Sequence, residues 1–225
     1  MQPGAAPRSA ANADHSYAAG IEAGLGRLRR GARTRAALHL AACRLLDAAP
    51  PEDLTVAAIC GGAGVAHGTF YIYFADRQAL LGELLDGFAG FAKAVMRAAA
   101  RAVDADPVEG PTAAYMALFE ANPGLMRCLI GHPDGFSEAR EAFQRLNRDW
   151  VMTVVRAVER QAAREGRQAA PRAELMRRAY ALGGMVDQYM AGLVLSGDPT
   201  LAEISADRDA VIATLSLIWR RGMEA

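Results

Sequence analysis

Three glycines in four positions, Gly61, Gly62 and Gly64, lie between two short apolar segments, and nothing else in the chain constrains its fold as much. Glycine closes a tight turn at little steric cost. Upstream of the turn, Thr55 has the side chain of an N-cap, and Val56, Ala57, Ile59 and Cys60 follow it as a short helix. Position 58 is Ala58, so there is no capping box. Downstream, a helix over about 66–74 puts Phe70 and Phe74 one turn apart on its inner face. His67 with Tyr71, and Thr69 with Tyr73, share its other faces. From Thr34, Leu38, Ala41, Ala42, Leu45, Leu46 and Ala49 keep helical spacing until Pro50-Pro51 ends the run. Asp76 is placed to cap a long helix carrying Leu80, Leu81, Leu84, Leu85, Phe88, Phe91 and Val95. Two short helices joined by a glycine turn, behind a longer one, predict a helix-turn-helix unit. Val65, Phe70 and Phe74 form its apolar back. His67, Gly68, Thr69, Tyr71 and Tyr73 populate a front that suits a major groove about 12 Å wide.

The rest of the chain reads as helix as well. Segments near 111–121, 123–131, 137–166, 171–196 and 207–223 are separated by Pro107, Pro111, Pro123, Pro133, Pro171 and Pro199. No segment alternates with the period of a strand, and no internal repeat is present. The expected fold is all-α, with about nine helices in three parts. Residues 1–32 are a flexible N-terminal arm, with helix possible from Ile21. Residues 33–80 are the helix-turn-helix domain, and residues 81–225 an effector-binding and dimerisation domain.

Composition excludes several classes. An apolar share of 52% is too high for a disordered chain. Three Cys are too few, and odd in number, for a disulfide scaffold. No apolar run reaches the roughly 18 residues of a membrane span; the best, 181–195, is broken by Asp187 and Gln188. Without an export signal at the N-terminus, a cytoplasmic location is expected. The net charge is zero, but five Arg and no acid fall between Arg27 and Arg35. A local basic patch matters more for nucleic acid than the overall balance.

The stretch Thr55–Leu80 resembles the DNA-binding signature of the TetR family of bacterial transcriptional regulators. The residues that carry the resemblance are Thr55, Ile59, Ala63-Gly64-Val65, Gly68-Thr69-Phe70-Tyr71, Tyr73-Phe74, Arg77 and Leu80. With the helix from Thr34 it covers about residues 33–85. The resemblance implies that Thr55 caps the second helix and touches phosphate. It places His67, Gly68 and Thr69 near base edges, and gives Tyr71 and Tyr73 hydroxyl contacts to phosphate. It puts Arg77 at the start of the fourth helix, where cation and helix dipole both favour anions. Arg29, Arg30, Arg33 and Arg35 would approach the flanking backbone or the minor groove.

The chain departs from the family pattern at four positions. Ala66 stands where Ser or Thr is usual as N-cap, at a cost of about 1 kcal/mol to that helix. His67 replaces the usual Arg or Lys, which gives binding a possible pH dependence. Ile72 offers only an apolar contact, such as to a thymine methyl. Cys60 stands where a small Ala is common and reads as a packing residue.

The C-terminal part carries eight of the nine Met, a side chain that lines adaptable pockets as well as ordinary cores. Phe119, Phe143, Trp150, Met185 and Tyr189 are the candidate pocket residues for a small apolar or amphipathic effector. Asp187 sits inside an apolar helix, and the sequence leaves three readings open: it binds a polar ligand group, pairs with an Arg across a dimer, or faces water. The last two helices are apolar enough to pack against a second copy, and the family forms its homodimer there. Two recognition helices would then read the half-sites of a palindromic double-stranded DNA operator.

The sequence points to no cofactor, metal or enzymatic role. Phosphate loop, serine elbow and paired-cysteine motifs are missing. Cys128 and His132 have i, i+4 spacing, but Pro133 and Gly135 end that helix, and two ligands are a weak metal signal. The expected function is a DNA-binding transcriptional repressor released by its effector. The alternative is a constitutive DNA-binding protein whose second half is only a dimerisation scaffold.

Overall fold

A computed structural model describes residues 14–102, 106–131 and 137–224. The described residues form eleven α-helices and no strand. Helix α1 spans Tyr17–Gly24, α2 Arg30–Ala48, α3 Val56–Ala63, α4 His67–Tyr73, α5 Arg77–Ala99 and α6 Glu109–Ala121. The order continues with α7 Pro123–Gly131, α8 Ser137–Arg164, α9 Arg172–Met190, α10 Pro199–Ile204 and α11 Arg208–Met223. The two helices beyond the expected nine are α1 and α10. Helix α10 starts with Pro199 in its first turn, where the missing N–H costs nothing. Asp198 caps it by accepting from the Thr200 and Leu201 N–H groups. Among the described residues no single helix is long and apolar enough to cross a membrane.

Helix α5 is the axis of the molecule. Leu80, Leu81, Leu84, Leu85 and Phe88 are completely buried along one face. The helix packs on both α6 and α8, while α8 continues to α9, and α9 to α11. One buried cluster runs from Leu38 of α2 through α5 to Leu215 of α11. The division expected between residues 80 and 81 therefore falls inside α5, which belongs to both halves.

The N-terminal segment corrects the sequence reading. Residues 17–24 were expected in a flexible arm and are instead a docked helix. Ser16 caps it, accepting the Ala19 N–H at 3.3 Å. Tyr17 packs its ring against Phe88 at 5.8 Å and Phe91 at 5.4 Å. Asn122, only 3% exposed between α6 and α7, holds the start of α1. Its Oδ1 accepts the Tyr17 N–H at 2.8 Å, and its Nδ2 donates to the His15 and Leu118 carbonyls, each at 2.8 Å. The alanines and glycines of this segment give no periodic signal, so tertiary contacts decide the conformation.

Candidate nucleic-acid interface and effector site

Helices α3 and α4 turn by 98° relative to each other. Thr55 caps α3, its hydroxyl accepting the Ala58 N–H at 3.1 Å. Gly64 ends α3 at φ +66°, a left-handed conformation that costs glycine nothing. Gly62 brings α3 close to α2: a Cβ there would stand 3.2 Å from that of Ala41. Ala66 precedes α4 without a side-chain cap, as the sequence implied. Phe70 and Phe74 are 0% and 4% exposed, with ring centroids 5.6 Å apart. They fasten the back of α4 to the core, so its front stays in solvent.

That front carries His67, Gly68, Tyr71 and Ile72, all exposed; Tyr71 is 55% and Ile72 75% exposed. The His67 and Tyr71 rings lie 5.6 Å apart on one face. Thr69 and Tyr73 are partly buried at the flank. The Tyr73 hydroxyl lies beside Gly31 at the start of α2, 3.7 Å from where a Cβ would be. Thr55 is exposed at the start of α3.

The arginines divide into two groups. Arg29, Arg30 and Arg33 are exposed at the start of α2. The guanidinium groups of Arg29 and Arg30 have no ion pair among the described residues, and Arg33 donates to the Leu28 carbonyl at 3.1 Å. Arg35 is committed within the fold. It forms a two-pronged pair with Glu83 of α5 and stacks over Phe74 at 4.9 Å. This pairing holds the Glu83 carboxyl below its usual range. Beside it, His39 packs on Phe74 at 5.2 Å, and burial lowers its pKa. Arg77 is likewise engaged. It donates to the Leu54 and Glu52 carbonyls at 2.7 and 3.3 Å, bracing the loop before α3. The structure thus gives Arg35 and Arg77 internal partners, where the family resemblance implied contacts to DNA.

The candidate effector residues are not gathered in one place. Phe119 is fully buried in the main core. Phe143 and Met185 are partly buried against the same core. Trp150 joins a separate cluster of Ala92, Met96 and Leu118, with Phe91, Val95 and Tyr115. Tyr189 bonds Ser205 at 2.6 Å and lines an apolar cleft of about 210 Å³ with Ile204, Ala210, Val211, Thr214 and Leu215. Asp187 does not simply face water: its Oδ1 accepts the Tyr115 hydroxyl at 2.5 Å. Burial pushes its carboxyl up to about 6, against the opposing effect of that bond. Burial also raises the Tyr115 hydroxyl well above its usual value. Sequence reasoning passed over Tyr115, although it lies four residues before Phe119 on the same helix face. Of the Cys128–His132 pair, His132 lies outside the described residues, and Cys128 is buried with its thiol pushed up to about 12. No cluster of metal-binding side chains occurs among the described residues.

Residues 39–84, which span the helix-turn-helix and the start of α5, match the model of the bacterial regulatory proteins, tetR family. The chain carries a TetR-family DNA-binding domain. Over 199 residues it is 26% identical to the HTH-type transcriptional regulator EthR of Mycolicibacterium smegmatis, covering 85% of this chain and 88% of that one. The fold resembles the fatty acid degradation regulator FadR from Bacillus halodurans, with TM-score 0.64 and 16% identity over 83% of this chain and 94% of that one. It also resembles FadR from Bacillus subtilis, solved with stearoyl-CoA, with TM-score 0.63 and 14% identity over 84% and 98%. The match of residues 39–84 to the tetR-family model, the all-α fold and the N-terminal helix-turn-helix agree with the reading of the residues.

Proposed function

We propose that the protein is a ligand-responsive transcriptional repressor that binds a near-palindromic operator as a homodimer and leaves it when a small amphipathic effector binds. The observation that carries this reading is the division of α4. Its two phenylalanines are locked into the core while His67, Gly68, Tyr71 and Ile72 stand in solvent. A short helix with a rigid back and a free mixed front is what a groove-reading helix requires. In this reading Thr55, Tyr71, Tyr73, Arg29, Arg30 and Arg33 meet the phosphate backbone. His67, Gly68 and Thr69 meet base edges, with Ile72 against an apolar methyl.

The dimer would form through α9 and α11. Their outward faces expose Tyr180, Ala181, Gly184 and Gln188 on one helix, and Ala213, Leu217 and Ile218 on the other. Small side chains there permit close approach of a second copy, and two recognition helices would then match half-sites one turn of DNA apart.

Release would travel through α7. Gly124 sits against the backbone of Leu46 and Asp47 at the end of α2, its N–H donating to Asp47 Oδ1 at 3.1 Å. Arg127 donates to the Leu46 carbonyl at 3.4 Å. Movement of α6 and α7 around a bound effector would shift α2, and with it α3 and α4. The effector biases the equilibrium only by its differential affinity for the two states. The test is binding of the full chain to DNA fragments selected from a genomic library, with and without candidate effectors. Selective binding that an effector weakens supports the reading; binding no better than to random DNA contradicts it.

A further inference from the structure

Phe74, the residue that follows the last turn of α4, is held by two side chains of α2 that stand one turn apart. The Arg35 guanidinium lies 4.9 Å from the centre of its ring, and the His39 imidazole 5.2 Å from it. Phe70 backs the ring from within α4 at 5.6 Å. Glu83 of α5 faces both α2 residues. Its Oε1 accepts from Arg35 Nε at 2.8 Å, its Oε2 accepts from Arg35 Nη2, and His39 Nε2 lies 3.7 Å from Oε1. That Nε2 is buried and has no hydrogen-bond partner among the described residues, so His39 fills space beside the ring while Arg35 is bonded to the carboxylate.

Helix α4 needs such an anchor. It has seven residues and no side-chain cap at Ala66. A helix this short does not hold itself, so its direction comes from what it packs on. At its start the Gly64 turn ties it to α3. At its end the contact is Phe74. The side chains of Arg35 and Glu83 are 44% and 42% exposed, and an ion pair in that setting is a weak source of stability. What the pair supplies is orientation. Two parallel bonds to one carboxylate fix the guanidinium plane, and a fixed plane presents its face to the aromatic ring. A lysine ammonium carries the same charge but has neither the fork nor the face.

Resting on the reading of α4 as the groove-reading helix, we infer that Arg35 and Glu83 are positioning residues for DNA recognition. Glu83 orients Arg35, Arg35 holds Phe74, and Phe74 sets the angle at which His67, Tyr71 and Ile72 enter the groove. Neither charged group touches DNA in this arrangement. Charge alone gives Glu83 the opposite effect, because removing a carboxylate from a DNA-binding half should tighten binding.

The test is fluorescence anisotropy of the full chain on fragments enriched from a genomic library and on random DNA, over a range of salt concentrations, with thermal melts to establish that each variant is folded. Arg35→Lys keeps the cation, and Glu83→Gln removes an anion. Both are expected to lower affinity for the enriched fragments by about tenfold, the scale of residues that act on binding without touching the ligand. Binding to random DNA should not fall, and the slope of log K against log salt should keep its parent value, because no phosphate contact is lost. In Phe74→Leu, which keeps an apolar side chain without a ring, Arg35→Lys should have no further effect. If Phe74→Leu does not fold, the two variants at exposed sites decide the question. Four results overturn the inference. Arg35→Lys binds the enriched fragments as the parent does, or Glu83→Gln binds them as tightly as the parent or more so. Arg35→Lys loses affinity for enriched and random DNA alike, the mark of a phosphate contact, or its effect adds in full to that of Phe74→Leu. These outcomes defeat this inference alone. A parent chain that binds enriched and random DNA equally defeats the reading of α4 beneath it.

Discussion

A methyl group on Gly124 would stand 2.4 Å from both the carbonyl carbon and the oxygen of Leu46. The neighbour is backbone and cannot rotate away, so glycine at this position sets the distance between α7 and α2. Gly124→Ala should force the two helices apart and lower stability by about 1–3 kcal/mol. Gly90 is the control, because a Cβ there meets nothing within 4 Å. Gly90→Ala should stabilise the helix by about 0.5–1 kcal/mol. Urea unfolding of both variants checks the pair. If α7 relays the effector signal, Gly124→Ala also alters DNA affinity while Gly90→Ala does not.

Asn122 and Tyr17 make a second joint of this kind. Asn122→Ala removes three hydrogen bonds and leaves the Tyr17 N–H and the His15 carbonyl without their side-chain partner. The expected loss is about 2 kcal/mol. Tyr17→Ala should cost about 2–4 kcal/mol through its lost ring contacts. Because both residues hold the same end of α1, the double variant should lose less than the sum. Full additivity in denaturant unfolding would mean that α1 is not anchored as described.

The two groups of arginines should separate in a salt titration of DNA binding. Arg30→Ala removes a free exposed cation and should flatten the dependence of log K on log salt by about 0.9. Arg35→Ala should leave that slope unchanged and act on stability instead, since its guanidinium is held by Glu83 and Phe74. Tyr71→Phe should weaken binding to all sequences alike by about 1 kcal/mol.

Asp187 makes stability depend on pH. Burial raises its carboxyl from 3.8 to about 6 in the folded protein. Below pH 4 the group is protonated in both states and contributes nothing. Between about 4 and 6 the unfolded chain ionises first, so folding stability falls as pH rises. Above pH 6 the full loss, on the order of 3 kcal/mol, persists. Asp187→Asn should therefore be the more stable protein at pH 7 and equal to the parent near pH 4. Thermal melts of both at the two pH values check the sign.

The helix-turn-helix was legible because its signals are local. The glycine turn, the Thr55 and Asp76 caps and the Phe70–Phe74 spacing all act within a few residues. Helix α1 was not legible. It has only a Ser16 cap and a partly buried face, and Asn122, more than a hundred residues away, holds it in place. The same limit explains Arg35 and Arg77. A basic residue near a DNA-binding helix reads as a phosphate contact until the position of Glu83 or of the Leu54 carbonyl is known. The carboxylate of Asp187 was conspicuous in its apolar helix, but Tyr115 lies 72 residues away and nothing local joins them.

The central claim is that the exposed face of α4 reads a specific DNA sequence. Fluorescence anisotropy of the full chain tests it most directly, on fragments enriched from a genomic library and on random DNA, at two salt concentrations. The account predicts tight, selective binding that weakens with salt, with a changed sequence preference in His67→Ala. Equal affinity for enriched and random DNA, or an unchanged preference in His67→Ala and Ile72→Ala alike, would contradict it.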